Sequence, residues 1–498
     1  MSELNKLGKT SVLVFLGKVF ESLILVIFYI LAIRILGADV YGRFIYIFTF
    51  LQILSMITKF GLDLGLIAFV PKHLDDKKLK VVKDLIGFTF YLTSIFSLIF
   101  ITILILNRNS ISTLLLNDPT LSSSLVIITP LLLLINFMNI SNGIFRSINQ
   151  YKHYVVSRNI LIPLLMIILL FIISFFIKEK NIITLSISYY VAWGIGSFLL
   201  LYYLIKENML GSLDKKMNKD FKLLVNFSLP LLFSGLLGFL LMRLDSLMIG
   251  YFLDDEKVAI YSISFQIALM SSFVLAAFNT MFAPTISLFF NQGKLDELSK
   301  MYKSITRWVT FINLMFFSLI ILLSKEIMSI FGSNFKEGSM ALILIAAGQV
   351  VNAAVGSVGH MNTMTGHPKY ELYTNILTLG VNIALNIALI PNYGINGAAF
   401  ASLIAIGSNN IIRLFLMYKN LKIHPFNKDY LKVVLISLFS LFTTALIKYL
   451  FDFNYILTIF IVTILFIILL AITSMIIGIA KEDKMMLHSI IKKMNLIR

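Results

Sequence analysis

The feature that most constrains this chain is a succession of fourteen apolar runs, separated by short segments that carry almost all of the charge. The runs lie at 12–35, 44–69, 85–106, 123–145, 155–177, 183–205, 226–250, 259–288, 308–323, 339–361, 371–390, 396–418, 431–450 and 455–479. An α-helix rising ~1.5 Å per residue needs about 20 such residues to cross ~30 Å of hydrocarbon. Each run is thus one expected membrane span. The runs are continuous rather than alternating, which selects helices over an outer-membrane barrel. Charged residues make up 13% of the chain and its mean hydropathy is +0.91, whereas about a quarter of residues are charged in a water-soluble domain. The expected fold is an all-α membrane protein.

Counting residues within three positions of a span end with the adjoining loop, Arg158 among them, and placing the N-terminus in the cytoplasm puts 29 of the 42 Lys and Arg on that side and 9 on the other, with Lys18, Lys59, Arg243 and Arg413 inside spans. By the positive-inside rule this sets a multi-pass plasma-membrane protein with both termini cytoplasmic. The first run is too long for a signal-peptide core and lacks a small-residue cleavage site, so it is expected to be retained. The net charge of +17 therefore reports topology and does not call for nucleic acid. The absence of cysteine excludes disulfides, thiolate metal sites and cysteine nucleophiles. No P-loop, HExxH or GxSxG motif occurs, so neither enzyme activity nor cofactor nor metal is expected. Energy must come from an ion gradient, substrate flow or a partner.

No loop is long enough for a soluble domain, which places the function inside the membrane. Two segments between or after spans are amphipathic. Leu295, Leu298, Tyr302 and Ile305 fall at helical spacing, either as a helix on the cytoplasmic surface or as ordinary packing. The tail at 481–498 aligns Met486, Ile490, Met494 and Ile497, with Lys484, Lys492 and Lys493 available to anionic headgroups, and is expected to lie on the membrane.

The chain also repeats itself. RSINQYKHYVVSRN from Arg146 aligns with NTMTGHPKYELYTN from Asn362, pairing Tyr154 with Tyr370 and Asn159 with Asn375 at an offset of 216. Tyr202 and Tyr418 pair at the same offset, and YGRFIYIF from Tyr41 matches VAIYSISF from Val258 at 217. An offset of six helices keeps both copies in one orientation, a parallel repeat. The expected organisation is an N-terminal lobe at 1–206, a cytoplasmic linker at 207–225, a C-terminal lobe at 226–420, two further helices at 421–480 and the basic tail at 481–498. Two lobes with a cavity between them invite alternating access.

Ionised side chains at a helix centre cost about 2.5–3.5 kcal/mol each on insertion scales, so those inside spans need a reason. Arg243 and Asp245 share the seventh span but sit about 200° apart around a helix, so at most one faces a given spot. They suit either a charge pair between helices or a polar cavity. Lys18 and Glu21 are three apart and Lys59 and Asp63 four apart, so each pair shares a helix face. Both pairs fall in the cytoplasmic half, where four charges would form a polar patch. Arg34 and Arg413 lie near span ends and can snorkel. Asn279, Asn352, His360, Asn375, Asn382 and Asn386 can bond sugar hydroxyls or join helices, and the joining role is the expectation. Pro230, followed by Gly235 and Gly238, marks a possible flexing point or a static kink.

Four stretches resemble the polysaccharide flippase family of the multidrug/oligosaccharidyl-lipid/polysaccharide exporter superfamily. ILGADVYGRF at Ile35–Phe44 resembles its first outer turn, FSLPLLFSG with MRLDSLMIGYF its seventh helix, and APTISLFFNQGKLDELSKMY its eighth helix and following segment. IPNYGINGAAFASLIA at Ile390–Ala405 is the most specific, with Pro391, Gly394, Gly397, Ala398 and Ala399 in the family spacing. The resemblance implies a two-lobed transporter that moves polyprenyl-linked oligosaccharide to the outer leaflet for surface polysaccharide. It places the cavity cations that face the lipid pyrophosphate on Lys18, Lys59 and Arg243, with Glu21, Asp63 and Asp245 as ion-coupling or cavity acids. Membrane lipids are implied partners, a pathway polymerase or glycosyltransferases are further candidates, and a monomer is expected. A multidrug and toxin extrusion exporter is the first alternative, though that class usually has twelve spans. A membrane glycan polymerase or ligase is the second, and those generally carry a large outer loop.

Overall fold

The computed structural model describes residues 2–75, 78–148, 150–176, 181–210, 219–450 and 454–477. The tail at 481–498 lies outside them, as does 211–218 of the expected linker. The described residues are almost entirely helical, with no strand among them. Eleven helices are long and apolar enough to cross a membrane, or up to thirteen if each of two bent pairs is one span. The chain is an all-α, multi-pass membrane protein.

The fourteen expected spans differ from this count partly through one element. A 54-residue helix, Pro368–Leu421, contains Gly394 at φ 57° and ψ −139°, outside the helical region. Asn409 reaches back to Asn375, so the element folds on itself where the sequence places two spans. Gly397 lets the two arms close, because a Cβ there would lie 2.5 Å from the Leu389 carbonyl oxygen.

In chain order the elements used below are α1 (Ser2–Leu36), α2 (Ala38–Thr58), α3 (Leu62–Asp75), α4 (Leu79–Leu106), α5 (Leu121–Ile128), α6 (Leu131–Ser147), α7 (Tyr151–Phe176), α8 (Ile182–Lys206), α9 (Lys219–Phe252), α10 (Asp255–Leu269), α11 (Ser272–Asn291), α12 (Leu295–Ser329), α13 (Ser339–Ala354), α14 (Val358–Met364), α15 (Pro368–Leu421), α16 (Lys428–Tyr449) and α17 (Tyr455–Ile477). They group into two compact units. One is Met1–Ile263 with Leu379–Ala398, and the other is Ser264–Thr378 with Ala399–Arg498.

The first unit is built on an aromatic core. Tyr189 of α8 packs against Phe44 and Phe28 at ring separations of 4.5 and 5.9 Å, and Trp193 meets Phe48 edge-on at 6.1 Å. The expected second span over 44–69 is two helices. Phe60 and Gly61 take positive φ, 53° and 69°, and end α2 before α3 begins. Gly61 is required twice over, by its φ and because a Cβ would lie 2.5 Å from the Ser228 carbonyl oxygen of α9. Below the break, Asn136 of α6 is 2% exposed. It donates to Thr58 Oγ1 and Ser97 Oγ at 2.7 Å each and accepts from Ser55 Oγ at 2.6 Å. Apolar packing does not drive helices together in lipid, so such bonds specify which helices meet.

In the second unit, α12 runs unbroken from the amphipathic segment into the next span. Leu298 and Tyr302 are fully buried and Ile305 nearly so, in a core with Leu275, Phe282 and Met361. The Tyr302 hydroxyl donates to the Val355 carbonyl at 2.5 Å. Of the four residues expected on this stripe, Leu298, Tyr302 and Ile305 pack within the protein, while Leu295 is 40% exposed. The last two helices lie against α12 through a shared core of Leu322, Ile436 and Phe466 and an ion pair of Lys448 with Glu326 at 2.7 Å. Large apolar side chains such as Phe176, Phe442 and Met475 remain exposed on spans, as lipid-facing residues are.

Candidate functional site

All six sequence-predicted site residues lie in the first unit. Lys59 caps the end of α2 and Asp63 stands in the first turn of α3. Their ammonium and carboxylate meet at 2.7 Å, and both residues are more than nine-tenths buried. The four-residue spacing pairs them as expected, but across the break rather than along one continuous helix. Asp63 Oδ1 is buried with no hydrogen-bond partner. The carboxylate thus spends one oxygen on Lys59 and keeps the other unspent inside the unit.

Lys18 and Glu21 do not pair. Glu21 Oε1 instead meets Arg158 Nη1 of α7 at 2.9 Å, while Lys18 is exposed. Arg158 was assigned by sequence to the preceding cytoplasmic segment, yet it sits in a π-helical turn, Val156–Leu161, inside the α7 span. Such single wide turns recur at functional sites. The guanidinium lies 4.8 Å over the Trp193 ring, a cation–π distance. α1 reaches this turn because Gly17 has no side chain; a Cβ would stand 2.5 Å from Val155 Cγ1. Sequence periodicity could not find Arg158, since a residue at a span edge and one in a wide turn read alike. Its place in the repeated RSINQYKHYVVSRN stretch was the one available signal.

Arg243 of α9 is half-buried. Its charge is within electrostatic reach of the Tyr29, Tyr41 and Tyr189 hydroxyls, and the Tyr29 and Tyr189 hydroxyls also feel Arg158. The Tyr154 hydroxyl feels Arg158, Glu21 and Asp63 together. Tyrosines therefore link the Lys59–Asp63 pair, the Glu21–Arg158 pair and Arg243 into one neighbourhood.

Asp245 is 4% exposed. Its Oδ2 accepts from the Tyr261 hydroxyl at 2.6 Å, and its Oδ1 from the Asn386 and Asn382 amides at 2.7 and 3.1 Å. The two asparagines join α15 to α9, the helix-joining role expected of them, and they do so through this carboxylate. Charge-assisted bonds of this kind are about twice as strong as neutral ones.

The second unit holds a cluster that sequence reasoning set aside. Arg413 is largely buried rather than snorkelling. It pairs with Glu371 and donates to Asn375 Oδ1 at 2.8 Å and Thr374 Oγ1 at 3.3 Å. The fold-back of α15 makes these contacts between the two expected spans, and neither span announces them by itself.

Comparison with known proteins gives the following. Residues 7–290 match the family model described as "Polysaccharide biosynthesis protein", and residues 230–388 match MatE. An uncharacterized membrane protein, MJ1068, of Methanocaldococcus jannaschii is 25% identical over 84% of this chain and 85% of its own length. A "Probable low-salt glycan biosynthesis flippase Agl15" of Haloferax volcanii is 28% identical over 40% of this chain and 43% of that protein. Among solved structures, "Lipid II flippase MurJ, inward closed conformation" superposes with a TM-score of 0.71 at 19% identity, covering 93% of this chain and 98% of that one. At that identity the likeness is one of fold.

Proposed function

The chain belongs to the polysaccharide biosynthesis protein family, and from that premise we propose that it is a flippase carrying polyprenyl-pyrophosphate-linked oligosaccharide from the cytoplasmic to the outer leaflet. The observation that carries the proposal is that Lys59, at the end of one apolar span, and Arg243, inside another, belong to one unit. A phosphate-linked glycan cannot cross hydrocarbon unaided, and ionisable groups at membrane depth mark substrate pathways. Cations at these positions offset the phosphate charge while the polyprenyl chain stays in lipid. Lys18, exposed on α1, is the third cation assigned to the path.

Transport proceeds by alternating access of the two lobes expected at 1–206 and 226–420. Glu21, Asp63 and Asp245 are the acids proposed to couple it to a proton or cation gradient. The buried, unspent Oδ1 of Asp63 and the three-donor cage of Asp245 support that assignment. The protein acts as a monomer in the plasma membrane, with cytoplasmic termini, and receives its cargo from glycosyltransferases of the same pathway.

The test is flipping of a fluorescent polyprenyl-pyrophosphate oligosaccharide in proteoliposomes. Loss of flipping in Lys59→Ala and Arg243→Ala is expected, and wild-type flipping in Lys18→Ala, Lys59→Ala and Arg243→Ala alike would exclude the site. The MatE match over 230–388 favours a second reading, a cation-coupled drug exporter. Raised drug tolerance in expressing cells, with no glycan flipping, selects it.

A further inference from the structure

The Glu21–Arg158 pair is packed on an aromatic ring, that of Trp193. We propose that Arg158, Glu21, Trp193, Tyr29, Tyr154 and Tyr189 form a saccharide subsite, one that reads a sugar ring of the cargo rather than its phosphate. The inference rests on the flippase reading above and deepens it.

Three observations carry it. First, the Arg158 charge is already met by Glu21 at 2.9 Å, so an incoming phosphate would have to displace a carboxylate. A neutral polyol need not. Second, polar capacity is left unspent. A guanidinium has five N–H donors, and those of Arg158 not directed at Glu21 have no acceptor among the described residues. The hydroxyls of Tyr29, Tyr154 and Tyr189 likewise make no hydrogen bond among the described residues, and Trp193 Nε1 is buried without a partner. A buried donor of this kind is normally satisfied, and Trp193 Nε1 left open beside an ion pair with spare donors calls for a polar ligand. Third, the wall is aromatic: Trp193 lies under the guanidinium and Tyr189 stacks beside it at 6.5 Å. A pyranose carries hydroxyls at its edge and an apolar face, which suits polar groups set among aromatic rings.

The chain has two tryptophans, so Trp308→Phe leaves Trp193 as the sole reporter. Purified full-length protein in nanodiscs is titrated with methyl glycosides of glucose, N-acetylglucosamine and glucuronic acid, and separately with inorganic pyrophosphate. A saturable change in Trp193 emission with at least one glycoside, and none with pyrophosphate, is expected. Arg158→Lys keeps the charge but loses the planar fork, and should weaken binding tenfold or more. Tyr29→Phe removes only a hydroxyl and should weaken it about 3- to 10-fold, which guards against a folding defect in the arginine variant. A response to pyrophosphate, or silence to all three glycosides up to their solubility, overturns the proposal. Flipping measured on the same preparation separates the two claims: flipping with a silent Trp193 refutes the subsite alone, whereas a responsive Trp193 without flipping refutes the function.

Discussion

The Lys59–Asp63 pair allows a sharp separation of structure from transport. At 2.7 Å and an effective dielectric constant near 20, the two charges attract by about 6 kcal/mol. Desolvation of each ion offsets most of that, so the pair contributes little net stability while both partners are present. Removing one partner is different, because the other stays buried and uncompensated. Lys59→Met and Asp63→Leu should each lower the unfolding free energy by about 3–5 kcal/mol. The double variant replaces both charges with apolar groups and should return to within about 1 kcal/mol of wild type or exceed it. Equilibrium unfolding in mixed micelles measures all four proteins, and flipping in proteoliposomes is read in parallel. The expected result is a double variant that is stable and inactive. A double variant that is stable and flips at the wild-type rate would show that the pair only joins α2 to α3, and would remove both residues from the transport path.

Three further outcomes follow from the first unit. Asn136→Leu keeps volume but loses three buried bonds; interhelical bonds in membranes average about 0.6 kcal/mol, so a loss of about 2 kcal/mol is expected, and an unchanged unfolding curve would show that the network specifies nothing. At Gly42 a side chain would collide with the Asp255 carbonyl oxygen, so Gly42→Val should push α10 from α2, break the 2.8 Å Arg43–Asp255 contact and cost about 1–3 kcal/mol in the same assay, with wild-type stability refuting the packing. Asp245→Asn preserves the size of the caged side chain while removing its charge; flipping that no longer responds to an imposed sodium or proton gradient is expected, and a gradient response equal to wild type would exclude Asp245 from coupling.

Sequence alone determined that this chain is an all-helical membrane protein, because every backbone group must be satisfied within its own segment once water is absent, and only the length and composition of each run enter that argument. It also located the Lys59–Asp63 pair, since four residues of separation bring side chains together locally. Partners distant in sequence were decided by the tertiary structure. Glu21 faces Lys18 on its own helix, yet its partner is Arg158 from α7, brought within reach by Gly17 and a wide turn that no periodicity announces. Asp245 acquires its cage from Asn382 and Asn386, and Arg413 acquires Glu371, only where α15 has found its neighbours or folded on itself. Apolar length is a property of single segments and can be read from them. The pairing of buried polar groups depends on which helices meet, which helix length and composition leave open.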